Sequence, residues 1–343
     1  MKAYSLYGIN DLRYIDSEYP ECPSGWCVVQ VKATGICSSD IPRIFTKGTY
    51  HFPTIPGHEV AGVVVSVADE ENRGLLNKKV GIFPLIPCKK CEQCRKGHYE
   101  MCADYDYVGS RRDGGFAEYV AVPVWNTIVL DDSVSFTAAA MMEPLAVSLH
   151  AVNQADIHEG DTVAVVGTGM IGIAIAQWAL TKNPRCVVVY GASEKKRTTI
   201  EKIRGVAFAS VNTIDREFDV VIEAVGTNAA IESAITLTKA SGTLVLVGNP
   251  EGDITLAQNT YWRILRKQLR VVGSWNSCYA EEGDSDWSAV AAALAAHTVD
   301  TDALISHRLT QTELMRGLEI MRDHSEPFLR IVIEWGKNDS EKE

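Results

Sequence analysis

An apolar strand that leads directly into a glycine-rich turn constrains the fold of this chain more than any other feature. The segment DTVAVV is followed by GTGMIG, which matches the pattern G-x-G-x-x-G, and then by the apolar segment IAIAQWAL. The pattern carries meaning only between a strand and a helix, because its glycines allow a tight turn and close helix packing. The sequence therefore predicts the first strand–turn–helix unit of a doubly wound parallel sheet.

The same turn is a candidate site for the diphosphate of a dinucleotide. The N–H groups and the dipole at the start of the following helix attract anions. A membrane span over Val163–Leu180 is the competing interpretation, because this stretch is uncharged and just long enough. Its regularly spaced glycines make the nucleotide turn the better explanation. The candidate cofactor-binding residues of the turn are Gly167, Thr168, Gly169, Met170, Ile171 and Gly172.

Strand and helix candidates alternate after the turn, whereas the first part of the chain is β-rich. RCVVVYG, FDVVIEAVG and GTLVLVGN are apolar strands separated by helical segments such as AAIESAITLT. Buried Val and Ile runs separated by helices indicate a parallel sheet with right-handed crossovers. Before about residue 130, short apolar runs alternate with Gly and Pro, which is typical of β structure. We predict an α/β chain of two domains with a frayed polar tail, GKNDSEKE.

The end of the second strand decides which dinucleotide the site prefers. An NAD site expects an acidic residue there, about twenty positions after the turn, to hold the ribose hydroxyls. Gly191 occupies that position and is followed by ASEKKR. Ser193 could donate to a 2′-phosphate, and Lys195, Lys196 or Arg197 could pair with it. The alternative is that the nearby glutamate serves NAD and the cations form an exposed helix face. NADP(H) is favoured, because loss of the acid and gain of cations coincide.

Four of the nine cysteines lie in one short polar segment, PCKKCEQCRKGHYEMC. Their spacing is C-x2-C-x2-C-x7-C, in which each C-x2-C turn brings two sulfurs round one centre. The segment has few apolar residues, so a bound metal would be what folds it. An iron–sulfur cluster and unliganded thiols are the alternatives, but no C-x3-C-P step completes the spacing. We predict a structural zinc held by Cys88, Cys91, Cys94 and Cys102.

Charge and composition exclude several classes of partner. The formal net charge of -11 argues against nucleic acid, which needs a basic footprint. No charged segment followed by an apolar run opens the chain, so neither a secretory signal nor a membrane partner is expected. A cytoplasmic location is the expectation, and the reduced thiols of that compartment disfavour disulfides.

Three separated segments supply the residue types of a catalytic zinc site. GICSSD contributes Cys37, PGHEVAG contributes His58 and MEPLAVSLH contributes Glu143. A thiolate, an imidazole and a carboxylate form a three-ligand site with one position open to water or substrate. Zinc there would stabilise an alkoxide and ease the loss of its hydride. Asp40 is expected to orient the histidine as its hydrogen-bond partner.

Together these motifs resemble the zinc-dependent medium-chain dehydrogenase/reductase superfamily over nearly the whole chain. GHEVAG, the four-cysteine lobe and the nucleotide turn occur in the order found in that family. The resemblance implies a GroES-like catalytic domain interrupted by a Rossmann domain. The expected GroES-like domain is 1–149 and 285–343 with the zinc lobe at 88–102, and the expected Rossmann domain is 150–284.

The resemblance also assigns roles to site residues. It implies two zinc ions per chain, with Cys37, His58 and Glu143 as the catalytic ligands and Glu59 as an occasional fourth ligand or water-holding group. A glutamate at the third ligand position resembles the polyol dehydrogenase branch. The exposed edge of a Rossmann sheet often pairs in this superfamily, so a homodimer or homotetramer is expected.

Three longer stretches resemble members of that branch that act on polyol phosphates: SSDIPRIF, YDYVGSRRDGGFAEY and ILRKQLRVVGSW. They imply hydride transfer between NAD(P) and a secondary alcohol or ketone of a polyol phosphate or keto-sugar phosphate. A dehydrogenase of an unphosphorylated polyol, of the sorbitol or xylitol type, is one alternative, and a non-catalytic zinc-containing nucleotide-binding protein is another. The departure from the pattern is Gly191, where NAD-using members carry aspartate.

A phosphorylated substrate needs a cationic anchor beyond the metal. The candidates are Arg43 and Lys47, after the catalytic cysteine, and Arg111 and Arg112. The arginines are the stronger candidates, because their planar fork suits phosphate oxygens. The alternative for Arg111 and Arg112 is a solvated turn in which they pair with Asp113.

Proton removal from the substrate hydroxyl needs a route to solvent. Hydroxyl groups suit such relays because each both donates and accepts. We expect Ser39 to begin this route, with Tyr50 or His51 nearby. The alternative for His51 is an ordinary histidine of a surface loop.

Overall fold

Two compact units make up the chain, in a computed structural model that describes residues 1–280 and 283–336. One unit is Met1–Pro144 with the described part of Cys278–Glu343, and the other is Leu145–Ser277. These boundaries fall a few residues earlier than the expected 149/150 and 284/285. All but the first residue of the predicted frayed tail lies outside the described residues.

The unit made from the chain ends is built on antiparallel strands. Its seven-stranded sheet has the order β16-β17-β3-β4-β5-β9, with β8 also paired to β3. Two small sheets, β1-β2 and β6-β7, complete it. Elements are numbered in chain order, and the strands of this unit are β1 Lys2–Gly8, β2 Asp11–Asp16, β3 Trp26–Ile36, β4 Glu59–Val67, β5 Lys79–Ile82, β6 Leu85–Ile86, β7 Asp106–Tyr107, β8 Tyr119–Pro123, β9 Thr127–Val129, β16 Ile305–Thr310 and β17 Arg330–Glu334.

The other unit is a six-stranded parallel sheet of order β12-β11-β10-β13-β14-β15. This is the 3-2-1-4-5-6 order of a doubly wound dinucleotide-binding sheet. The α/β fold class predicted from alternating strands and helices is therefore confirmed. Its strands are β10 Thr162–Val166, β11 Cys186–Gly191, β12 Val206–Ser210, β13 Phe218–Glu223, β14 Thr238–Leu246 and β15 Arg270–Gly273.

The described helices are short to medium in length, and none is both long and apolar enough to cross a membrane. The stretch proposed as a membrane span is instead β10, the glycine turn and α5. The α-helices are α1 Asp40–Pro42, α2 Glu92–Arg95, α3 Phe136–Ala140, α4 Met142–Ala155, α5 Met170–Leu180, α6 Arg197–Glu201, α7 Asn228–Leu237, α8 Gln258–Lys267, α9 Asp286–Ala295 and α10 Leu314–Asp323, and single turns of other helix types lie at Arg43–Lys47, Glu70–Leu75, Tyr99–Met101, Val124–Asn126, Glu194–Lys196 and Gln311–Glu313.

Strand β3 organises the unit that carries the candidate metal centre. Its sequence, WCVVQVKATGI, is apolar and β-branched enough to be buried almost throughout. It pairs antiparallel with β4 on one side and with β17, from the far end of the chain, on the other. The register places Gly35 opposite Glu59 and Ile36 opposite Ile331. The carboxyl end of β3 and the amino ends of β4 and β17, which come from distant parts of the sequence, therefore lie side by side at one end of the sheet.

Candidate active site

Side chains at two of these strand ends, those of β3 and β4, converge on one point. Cys37 follows β3, His58 precedes β4, and Glu59 is the first residue of β4. The ligand atoms of Cys37, His58 and Glu59 all lie within 4.8 Å of one another. Sulfur, imidazole nitrogen and carboxylate oxygen are the donor types that zinc takes in catalytic sites.

The carboxylate of Asp40 lies next to both the cysteine and the histidine. Its Oδ2 accepts a hydrogen bond from the backbone N–H of Cys37 at 3.0 Å, and its Oδ1 lies 3.4 Å from Nδ1 of His58. Both Asp40 and His58 are buried. Because Nδ1 faces the carboxylate, Nε2 is the nitrogen left for a metal ion. Oδ1 of Asp40 and Nδ1 of His58 are close but do not meet the geometry of a hydrogen bond, so the orienting role of Asp40 stays a prediction.

The electrostatics of this group favour the ligand form of the cysteine. Burial raises the pKa of the Cys37 thiol, but His58 and Arg330 together outweigh burial and lower that pKa to about 5. Burial likewise opposes charge on the imidazole, yet the Asp40 carboxylate and Cys37 raise the pKa of His58 well above its ordinary value. Zinc binds the thiolate of a cysteine and the neutral form of a histidine, so metal binding at this pair would release the imidazole proton.

Glu59 presents one satisfied and one unsatisfied carboxylate oxygen. Its Oε1 accepts from Nη1 of Arg330 at 2.8 Å, and the same guanidinium nitrogen donates to the carbonyl of Ile36 at 2.8 Å. Its Oε2 is buried with no hydrogen-bond partner among the described residues. Burial raises the pKa of Glu59 well above its usual range, although Arg330 opposes this. A buried oxygen without a partner, beside a thiolate and an imidazole, fits a divalent metal ion.

Glu143 lies next to this group but is not a member of it. It is buried at the start of α4, and its Oε1 accepts from the Tyr107 hydroxyl at 3.4 Å. The ring of Tyr107 packs against His58, with ring centroids 5.8 Å apart. The family resemblance implied Glu143 as the third ligand and Glu59 as an occasional fourth. Among the described residues, Glu59 is the glutamate whose carboxylate oxygen lies within 4.8 Å of the Cys37 and His58 ligand atoms.

Ser39 is close to the cysteine, but the other predicted relay residues are not close to Ser39. Its Oγ donates to Sγ of Cys37 at 3.3 Å and accepts from Nη1 of Arg43 at 2.8 Å. Tyr50 is 69% exposed and bonded to Arg111. His51 is exposed, with ring nitrogens 3.0 and 3.1 Å from backbone carbonyls. No hydrogen bond in the described ranges joins either residue to Ser39, and His51 has the setting of a surface-loop histidine.

The three candidate anchoring arginines occupy different surroundings. Arg43 lies beside Ser39, as above. Arg111 lies between the rings of Tyr50 and Tyr105, and Arg112 pairs with Asp106 rather than with the expected Asp113.

The four cysteines of the polar lobe come together as a second group. Their sulfurs all lie within 4.8 Å of one another, and Sγ of Cys88 is 3.9 Å from Sγ of Cys94. Zinc–sulfur bonds of about 2.3 Å in a tetrahedron require sulfurs about 3.8 Å apart. The backbone N–H of Cys94 helps to lower the pKa of Cys91 to about 6. The donor set and its dimensions fit a closed zinc site, and the nine cysteines form no disulfide.

The glycine turn lies between β10 and α5, at the carboxyl end of the sheet. Gly167 has φ of +132°, a conformation that favours glycine. A Cβ atom on Gly172 would lie 2.1 Å from the carbonyl oxygen of Gly167, so any side chain there would separate helix from turn. At Gly169 nothing lies within 4 Å of a Cβ position, which leaves open space in front of the helix N-terminus. This arrangement suits a diphosphate.

The end of β11 has no room for an acidic side chain. A Cβ atom on Gly191 would lie 2.6 Å from Cγ2 of Thr168 and 2.9 Å from the ring of Phe208. Ser193 caps the following turn, accepting from the N–H of Lys195 at 3.3 Å.

Two cations follow that turn in different settings. Burial lowers the pKa of Lys196. Arg197 pairs with Glu194 and Glu201 and stacks over Phe208. Arg197 and Glu194 are thus ion-paired with each other. Glu194 is the residue that would bind the ribose in the alternative NAD interpretation.

Two residues of the centre escaped the sequence analysis. Arg330 pairs with a glutamate 271 positions away, and no local pattern marks it. Tyr107 lies inside the stretch YDYVGSRRDGG, which marked it only as part of a resemblance. Pairing of β17 with β3 brings Arg330 to the site. The fold of the segment around β7 brings Tyr107 there.

Comparison with known proteins identifies the class. The model of the alcohol dehydrogenase GroES-like domain matches residues 23–132, and the model of the zinc-binding dehydrogenase matches residues 167–296. The chain belongs to the zinc-dependent medium-chain dehydrogenase/reductase superfamily and is an oxidoreductase of its alcohol and polyol dehydrogenase group. The family and the enzyme class predicted from the motifs are confirmed.

Among its relatives is galactitol 1-phosphate 5-dehydrogenase of Escherichia coli (strain K12), which is 31% identical and covers 82% of this chain and 84% of its own. The crystal structure of the galactitol-1-phosphate dehydrogenase from Escherichia coli matches 97% of this chain and 100% of its own with a TM-score of 0.88. L-galactonate-5-dehydrogenase of Escherichia coli (strain K12) is 28% identical, covering 87% and 88%. A zinc-binding dehydrogenase structure from Sinorhizobium meliloti 1021 bound to NADP has 26% identity, coverage of 97% and 98% and a TM-score of 0.88.

Proposed function

We propose that this enzyme transfers a hydride between NAD(P) and a secondary alcohol or ketone of a polyol phosphate or keto-sugar phosphate. The observation that carries the proposal is the group of Cys37 with the buried His58 and Glu59, in which one carboxylate oxygen has no partner among the described residues. The similarity to galactitol 1-phosphate 5-dehydrogenase over most of the chain supports this substrate class.

The protein groups of the centre would hold one zinc ion. Bound zinc would act as a Lewis acid on the substrate oxygen. Cys37 and His58 supply sulfur and nitrogen, while Asp40 keeps the imidazole in its metal-binding orientation. The oxygen ligand comes from a carboxylate. The distances between ligand atoms favour Glu59 as this oxygen ligand, and the family resemblance favours Glu143. The cysteine lobe would hold a second, structural zinc.

The substrate proton would pass to the oxygen of Ser39, and the partly exposed hydroxyl would release its own hydrogen to solvent water after turning away from Sγ of Cys37. The Ser39 oxygen already accepts from Arg43, which orients the hydroxyl hydrogen toward the sulfur side. A Ser39→Ala enzyme is expected to lose turnover, and unchanged turnover would remove Ser39 from the route.

We propose NADP(H) as the preferred cofactor. The crowded Cβ position at Gly191 excludes the acidic side chain that an NAD site uses, and Ser193 and Lys196 follow directly. Arg197 contributes less than the sequence suggested, because two glutamates already neutralise it. Binding of NADP in a relative of 26% identity supports the choice.

Steady-state kinetics with NADPH and NADH, across keto-sugar phosphates and the matching free ketoses, test the proposal. Wild-type enzyme is expected to prefer NADPH and phosphorylated substrates. Lys196→Gln should lower kcat/KM for NADPH about tenfold and leave that for NADH unchanged, because one charge-assisted phosphate contact is lost. Equal use of both cofactors by wild type would overturn the cofactor assignment, and faster turnover of free ketoses would overturn the phosphate assignment.

We also propose that the enzyme is a homodimer. Strand β15 lies at the edge of the six-stranded sheet, and its residues are mostly exposed. No residue of the neighbouring α8 is buried. An exposed edge strand pairs readily with a second copy across a twofold axis. The large exposed apolar residues of this surface are Tyr261, Trp262, Leu265, Val271 and Trp275.

A further inference from the structure

A guanidinium group borders the candidate metal centre and is tied to it by two hydrogen bonds. Nη1 of Arg43 donates to Oγ of Ser39 at 2.8 Å, and that hydroxyl donates to Sγ of Cys37 at 3.3 Å. Arg43 opens the helical turn that follows α1, so its Cα position is set by the same short segment that carries the cysteine. The cation is therefore held a few ångströms from the candidate ligand sulfur.

The charge of Arg43 is only partly compensated. Its Nη1 lies 3.5 Å from Oδ1 of Asp40, the oxygen that also faces Nδ1 of His58 at 3.4 Å. The other oxygen of that carboxylate accepts from the backbone of Cys37. The Asp40 carboxylate thus lies close to the Arg43 guanidinium, the His58 imidazole and the Cys37 backbone N–H. Because it is shared among them, it cannot fully neutralise the charge of Arg43.

Arg43 also keeps free hydrogen-bonding capacity toward solvent. Its side chain is 27% exposed. Of the five N–H donors of an arginine, those of Arg43 make a single hydrogen bond within the described chain, the one to Ser39. The remaining donors form a planar fork of the kind that binds carboxylate and phosphate.

In the described chain, neither of the other two candidate arginines makes a hydrogen bond to Ser39 or to a candidate metal ligand. Both faces of Arg111 are covered, by the ring of Tyr50 at 4.3 Å and the ring of Tyr105 at 4.4 Å. Its Nη atoms donate to the Tyr50 hydroxyl and the Tyr105 carbonyl, and its Nε is buried. Arg112 pairs with Asp106 and lies over Trp26. Arg111 thus fastens the surrounding loops to each other.

We propose that Arg43 binds the anionic end of the substrate, a phosphate or a carboxylate, at the opposite end of the polyol chain from the carbon that is oxidised. The inference rests on the proposed dehydrogenase function and narrows its substrates to polyols that carry a terminal anion. The anchor lies on the same wall as the candidate metal ligands, so it would fix which hydroxyl reaches the reactive position.

Three six-carbon substrates test this on the zinc-loaded enzyme: galactitol, galactitol 1-phosphate and L-galactonate. Arg43→Gln is expected to raise KM for the anionic substrate about 10- to 100-fold relative to KM for galactitol, the value of one or two charge-assisted hydrogen bonds. Because Arg43 also orients Ser39, a fall in kcat is expected as well, and it should be the same for all three substrates. Arg43→Lys keeps the charge without the fork and should give an intermediate KM. A selective effect on galactitol 1-phosphate identifies phosphate as the anion, and a selective effect on L-galactonate identifies carboxylate.

A binding measurement separates failure of this inference from failure of the dehydrogenase proposal. Inorganic phosphate is titrated calorimetrically into wild-type and Arg43→Gln holoenzyme, with zinc content measured in each. Arg73→Gln, which removes an exposed cation of the same unit, is the matched control. Loss of phosphate binding in Arg43→Gln alone supports the anchor even where no polyol is turned over. Equal phosphate binding in all three proteins, or an equal rise of KM for galactitol, overturns it.

Discussion

At Gly35 the absence of a side chain makes room for a carboxylate. A Cβ atom there would lie 2.0 Å from Oε2 of Glu59, the oxygen without a partner. The glycine therefore allows Glu59 to lie flat against β3, with Arg330 holding its other oxygen. The metal-facing position of this carboxylate depends on a neighbouring strand as much as on the motif GHEVAG.

Gly35→Ala is expected to displace Glu59 and to empty the catalytic metal position while leaving the cysteine lobe loaded. Overpacking of this kind destabilises the fold by about 1–3 kcal/mol. Plasma mass spectrometry should count about one zinc per chain, against two in wild type. Gly74→Ala is the control, because a Cβ atom there meets nothing within 4 Å. Two zinc ions in the Gly35→Ala protein would show that Glu59 does not support metal binding.

At the scale of an element, the end of β13 is fastened by a buried carboxylate. Oε1 of Glu223 accepts from the N–H groups of Val225 at 2.6 Å and Gly226 at 2.8 Å, which closes the turn after the strand. Burial nevertheless raises the pKa of Glu223, more than these N–H groups lower it. The strand end is thus more stable with this carboxyl protonated.

Stability should therefore depend on pH through Glu223. A raised folded-state pKa gives a contribution that is complete below the unfolded value of 4.5 and is lost as pH rises through the folded value. Gln accepts the same hydrogen bonds and does not titrate, so Glu223→Gln should gain stability over wild type between pH 5 and pH 8. Thermal unfolding at both pH values measures the difference. Glu251→Gln, an exposed change, should show no such gain, and a gain that shrinks with rising pH would contradict the argument.

At the scale of the whole molecule, the uncovered edge of the parallel sheet predicts the assembly. Val271→Lys places a charge at the centre of β15, where a second copy would pair. Light scattering after size exclusion is expected to give a dimer for wild type and a monomer for this variant. Val65→Lys, on the internal strand β4, is the control with similar exposure, 37% against 42%. A wild-type monomer would contradict the proposed dimer. A dimer of the Val271→Lys variant would show that the interface does not include β15.

Features that depend on neighbours along the chain were predictable from sequence. The glycine turn, the four-cysteine spacing and the alternation of apolar strands with helices each lie within one segment, and their conformations follow from local sterics and periodicity. Helix α8 and the edge strand β15 were not predicted as elements. The apolar residues of α8 do lie on one side of the helix, whereas β15 is mostly exposed and lacks the buried apolar run that marks the other parallel strands. The stretch ILRKQLRVVGSW contains the end of α8 and all of β15, yet it was interpreted only as a resemblance.

The sequence by itself determined the residue types of this enzyme: the donors for two metal groups, the nucleotide turn and the missing acid at Gly191. Tertiary structure decided which of them act together. It placed Glu59 in the group with Cys37 and His58, and Glu143 beside Tyr107. Of the three candidate arginines, it brought Arg43 to Ser39, next to the candidate ligand Cys37. The physical reason is distance along the chain. Contacts such as Arg330 with Glu59 span 271 residues and exist only because β17 pairs with β3, a register that no local pattern encodes.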